Sequence, residues 1–104
     1  MASHLTIGAT AAGPYVHLDE RALVLSDGQH TVTFETARLR WIGDTLAILA
    51  AEGRATRTQS EHTFGGFEAE GGEFVLYAST AHAALSLRVR RADVESLLQA
   101  FPGR

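Results

Sequence analysis

The chain has no cysteine, no lysine and no asparagine, and only two prolines and one tryptophan in 104 residues. Without cysteine there is no disulfide and no thiolate metal site, so stability must come from an apolar core. This usage fits a reducing cytoplasm, the expected location. No apolar run approaches the roughly 20 residues that a membrane-spanning helix needs. The opening MASHLTIGATAAGPYV lacks a basic start and a long apolar centre, so no signal peptide is expected. All nine basic residues are arginine, set against twelve acidic ones for a net charge of −3. The missing lysine reads as codon usage in a GC-rich genome; the alternative is selection for arginine forks at a binding site. An acidic chain without lysine is poorly suited to nonspecific nucleic-acid binding, which needs many cations along the phosphates. No nucleic-acid partner and no membrane contact are therefore expected.

What the sequence does contain is period-two alternation, the mark of half-buried strands. Ala22–Ser26 and Thr31–Glu35 flank Asp27-Gly28, a hairpin signal, with Val32 and Phe34 on one face. Ala37–Ile42 and Thr45–Ala51 flank Gly43-Asp44 and read as a second hairpin. Gly66–Glu70 and Glu73–Ser79 flank Gly71-Gly72 and read as a third. Ala83–Val89 is a further strand, with Leu85, Leu87 and Val89 inward. Tyr15–Leu18 reads as a strand, and Leu5–Ile7 as another beyond the Gly13-Pro14 step. The polar stretch GRATRTQSEHT, residues 53–63, is either a weak strand or a long loop. The period changes at the end, where Val94, Leu97, Leu98 and Phe101 mark one helical face. Asp93 is a candidate N-cap, and Pro102-Gly103 ends the helix. No internal repeat is visible. A single domain spanning 1–104 is expected, with 1–13 a flexible segment or extra strand and 93–101 a capping helix.

This order of antiparallel strands and one final amphipathic helix resembles the bacterial pleckstrin-homology (PH-like) domains. VHLDERALVLSDGQHTVTFETARLRWIGDTLAILAAEG reads like their first four strands, and LSLRVRRADVESLLQAF like their last strand and capping helix. The resemblance implies a mainly β fold: a PH-like barrel or sandwich of six to seven antiparallel strands closed by one C-terminal helix. It also implies a noncatalytic platform for a protein or peptide partner, often self-associating.

Candidate binding residues are arginines. Arg38-Leu39-Arg40-Trp41-Ile42 fits half of the basic pattern of lipid-binding PH domains. On a strand, Arg38 and Arg40 share a face and could grip one phosphate. The other reading is a solvated strand face with Leu39 and Trp41 in the core. Trp41 is either that core anchor or an exposed interface residue. Arg88, Arg90 and Arg91 form a denser basic edge, suited to an acidic partner, to another subunit's Glu68, Glu70 and Glu73, or to intramolecular pairing.

His4, His17, His30, His62 and His82 are scattered without ligand spacing, so no metal and no cofactor are expected. No nucleophile elbow, P-loop or dinucleotide turn occurs, and no catalytic residue stands out. The leading expectation is a binding or assembly module that docks a protein or peptide partner, or a second copy, on a sheet edge or outer face. The rivals are a small barrel with an interior ligand pocket and a module for anionic lipid head groups.

Overall fold

The alternating segments fold as strands that cover one core. A computed structural model describes residues 4–8 and 13–101. Strands β1 (Leu5–Gly8), β2 (Tyr15–Leu18), β3 (Ala22–Ser26) and β4 (Thr31–Glu35) form one antiparallel sheet in sequence order. Register pairs Leu18 with Leu23, Leu23 with Phe34 and Leu25 with Val32, so one face is wholly apolar. Turns are fixed by aspartates. Asp19 Oδ1 accepts from the backbone N–H groups of Arg21 and Ala22, and Asp27 Oδ1 from those of Gln29 and His30.

The second expected hairpin is instead a helix. A short 3₁₀ turn (Thr36–Arg38) leads into α1 (Leu39–Glu52). Leu39, Ile42, Leu46 and Leu49 recur at helical spacing and are all buried. The segment after Thr45 is rich in leucine and alanine, strong helix formers. Gly43, read as a turn residue, is buried in mid-helix. Gly53 ends the helix at φ +82°, with its N–H donated to the Leu49 carbonyl at 2.8 Å. The first four strands read from residues 16–53 are therefore three strands and this helix.

A second sheet follows, again in sequence order: β5 (Arg54–Gln59), β6 (His62–Glu68), β7 (Glu73–Ser79) and β8 (Ala84–Arg90). The polar stretch 53–63 supplies β5, a two-residue turn and the start of β6. The final helix α2 spans Arg91–Ala100. Its N-cap is Arg90, not Asp93; Asp93 sits one turn in and accepts the Arg90 backbone N–H at 3.0 Å. Pro102-Gly103 lies outside the described residues.

The mainly β, antiparallel class with a terminal helix holds. The details differ: among the described residues eight strands lie in two four-stranded sheets, and each sheet is followed by a helix. The chain is thus a strand-strand-strand-strand-helix unit used twice, a repeat of topology that leaves no trace in the sequence. One core joins both sheets and both helices, from Val16 and Phe34 through Ile42 and Leu49 to Phe74, Leu97 and Phe101. Helix α1 packs on β5 and β6 and against α2, which covers β1, β7 and β8. The α1 contact depends on Gly66, where a Cβ would stand 2.5 Å from the Val75 carbonyl oxygen and 3.0 Å from Leu49 Cδ2. Trp41 is core, 7% exposed, and its ring meets Phe34 edge-on. No helix among the described residues is long and apolar enough to cross a membrane.

Candidate functional site

With one face of each sheet on the core, recognition falls to the outer faces. On the β5–β8 sheet, cross-strand register aligns Arg54, Phe67, Val75 and Arg88 in one row. The next row is Thr56, Gly65, Tyr77 and Ser86. Phe67 stands 46% exposed. Its ring lies 6.5 Å from that of Tyr77, tilted by 42°. The Tyr77 hydroxyl hydrogen-bonds the Thr56 hydroxyl, which fixes the ring against the edge strand. Gly53, Arg54, Thr56, Phe67, Glu68 and Tyr77 line an open cleft of about 600 Å³. An aromatic pair flanked by guanidinium groups can take a flat, unpaired ring on its faces and an anion at its ends.

The charges on this sheet and at its junction with α2 are mostly matched. Arg88 pairs with Glu73 at 3.0 Å, Arg91 with Glu68 at 3.0 Å, and Arg90 with Asp93 at 3.5 Å. Arg91 also lies over the Phe74 ring, 4.8 Å from its centroid. The outer face of the β1–β4 sheet differs. Its central row is Thr6, His17, Val24 and Thr33, and it carries no arginine. Asp19 and Asp27 flank its turns. Backbone N–H donors hold both carboxyls below the usual 3.8, so both stay charged.

Of the expected site residues, Arg88 and Arg90 do share the outer face of β8. Arg91 has moved into α2, where it is tied to Glu68 and Phe74. Arg38 and Arg40 do not share a strand face: Arg38 closes the 3₁₀ turn and Arg40 stands in the first turn of α1. The one-phosphate grip assigned to them therefore loses its geometry, and lipid head-group recognition loses its support. The interior pocket is corrected as well, because Phe34, Phe64, Phe74 and the buried aliphatic residues fill the centre. Among the described residues no three His, Asp or Glu come together as a metal site.

Phe67 and Tyr77 escaped the sequence reading. The available signal was FGGF, in which a spacing of three puts Phe64 and Phe67 on opposite faces of one strand. With Phe64 in the core, Phe67 must face out.

No family model matches the sequence, and no curated protein does. Among solved structures, the chain is similar to one in the structure of a guide-RNA-binding protein complex bound to a gRNA. The TM-score is 0.58, with 95% of this chain and 86% of that chain covered at 8% identity. At that identity the likeness shows the fold. It also corrects the expectation of a protein- or peptide-docking module with no nucleic-acid partner: a chain of this architecture belongs to a complex that holds RNA. The acidic net charge argued only against phosphate-led binding, not against an aromatic face that stacks bases.

Proposed function

We propose that this protein binds single-stranded RNA on the outer face of the β5–β8 sheet. The observation that carries this reading is the outward-facing Phe67–Tyr77 pair, with Phe67 exposed, set between Arg54 and Arg88 on neighbouring rows of one sheet. The likeness to a chain of a guide-RNA-binding complex supports the nucleic-acid class. Unpaired bases stack on Phe67 and Tyr77, while Arg54 and Arg88 contact the backbone phosphates at either end of the row. Stacking needs a base free of its duplex, so single strands are preferred. With Arg88, Arg90 and Arg91 each paired to a carboxylate, phosphate attraction is a minor contributor. Titration of a fluorescein-labelled uridine oligomer, followed by anisotropy, tests the reading. Saturable binding that is lost in Phe67→Ala supports it. Flat anisotropy at high protein concentration and low salt, with the chain folded by circular dichroism, rejects it.

A further inference from the structure

Thr56 on β5 and Tyr77 on β7 stand on either side of Gly65 in one row of the outer face, and both line the cleft beside Phe67. Their hydroxyls bond to each other across Gly65. A Cβ on Gly65 would stand 2.8 Å from Thr56 Oγ1, so glycine at this position is what lets the two side chains meet. Each hydroxyl has one donor proton and two acceptor lone pairs. Whichever of the two donates, the pair keeps one O–H and spare lone pairs for a third group. No charged side chain stands in this row or in the next, where Thr58 and Thr63 form a second hydroxyl pair at 2.9 Å. This part of the face suits a neutral group that both donates and accepts. Phosphate only accepts, and the row of Arg54 and Arg88 serves it.

Resting on the RNA reading above, we propose that the Thr56–Tyr77 hydroxyl pair binds the 2′-hydroxyl of the nucleotide whose base stacks on Phe67, so that the face prefers RNA to single-stranded DNA of the same sequence. Consecutive rows are two residues apart along each strand, roughly 7 Å, so a base laid on Phe67 has its own ribose within reach of the next row. The 2′-hydroxyl donates and accepts, as the pair does, and it is the group that distinguishes RNA from DNA at a site. Deoxyribose offers only C–H there. The hydroxyl pair then turns back to water, so the loss is that of one or two neutral hydrogen bonds.

The experiment compares a labelled uridine oligomer with its 2′-deoxyuridine and 2′-fluorouridine counterparts, by anisotropy at fixed salt. The ribose probe is expected to bind about tenfold tighter than the deoxy probe. The fluoro probe keeps an RNA-like sugar pucker but cannot donate, so it should bind close to the deoxy probe. Tyr77→Phe leaves the Thr56 hydroxyl in place and should lower the ribose preference to about threefold. Thr56→Val combined with Tyr77→Phe removes both hydroxyls and should lower it to about one, with binding of the deoxy probe unchanged. That last readout separates a lost sugar contact from a disturbed face, which would weaken both probes. Equal affinity for ribose and deoxy probes, a fluoro probe that binds like ribose, a preference unchanged in the double variant, or both probes weakened alike there, overturns the 2′-hydroxyl assignment while leaving RNA binding intact. If no probe binds, the RNA reading falls and the assignment falls with it.

Discussion

Phe67 and Tyr77 lie on adjacent strands with ring centroids 6.5 Å apart, on a face turned away from the core. Phe67 is nearly half exposed and so contributes little to folding, about 1 kcal/mol of partial burial. Its value lies in the stacking surface. Phe67→Ala should weaken binding of a uridine oligomer by about 1–3 kcal/mol, the usual cost of one lost base stack. Tyr77→Phe keeps the ring and removes the hydroxyl bond to Thr56, so it should cost less than Phe67→Ala. Anisotropy titrations check both. A Phe67→Ala protein that binds like the wild type would remove the aromatic pair from the account.

The charge pairing makes a second expectation quantitative. Arg54 and Arg88 are the phosphate contacts proposed, and Arg88 is already shared with Glu73. Each phosphate neutralised on a single strand adds about −0.7 to the slope of log K against log salt. The slope should therefore lie near −1.4, and Arg54→Ala should bring it close to −0.7. Titrations between low and moderate salt measure it. A slope steeper than about −4 would mean binding led by phosphates on some other, more basic surface.

Legibility in the sequence followed how many periods a segment could satisfy. Ala22–Ser26 and Thr31–Glu35 alternate cleanly around Asp27-Gly28, and both are strands at those bounds. The 39–52 segment satisfies two patterns at once. Leu39 and Trp41 alternate with Arg38 and Arg40, while Leu39, Ile42, Leu46 and Leu49 run at helical spacing. Gly43-Asp44 also fits a hairpin turn, although Gly43 is buried within α1. Arg38 and Arg40 followed the wrong period onto a face that does not exist. The Phe67–Tyr77 pair depends on the register of β6 against β7, and register is a long-range property that a local pattern does not carry. Arg88 and Arg90 were legible because β8 alternates without ambiguity.

The close approach of α1 to β6 is testable through Gly66. An added Cβ would meet the Val75 carbonyl oxygen at 2.5 Å and Leu49 Cδ2 at 3.0 Å. Leu49 can yield by a rotamer change, but the carbonyl belongs to the β7 backbone and cannot move without disturbing the ladder. Gly66→Ala should therefore destabilise the fold by about 1–3 kcal/mol, as overpacking does. Urea unfolding followed by circular dichroism should show a lower midpoint with an unchanged slope. A midpoint equal to the wild type would mean that β6 and β7 can part at Gly66 more easily than the 2.5 Å approach implies.

The turn between β3 and β4 carries a pH signature. Asp27 accepts backbone N–H bonds from His30 at 2.6 Å and Gln29 at 2.8 Å, and these bonds hold its carboxyl below the usual 3.8. A carboxyl whose folded-state value is depressed stabilises the fold fully above its unfolded value. That contribution fades as pH falls below 3.8 and through the lowered folded-state value, because the unfolded chain takes up the proton first. Asp27→Ala should thus melt at a lower temperature than the wild type at neutral pH. The difference should stay constant down to about pH 4 and close at more acid pH, as both turns come to lack a charged acceptor. Thermal melts followed by circular dichroism across this range measure it. A gap that persists undiminished at the acid end would show that the Asp27 side chain supports the turn through something other than its ionised carboxylate.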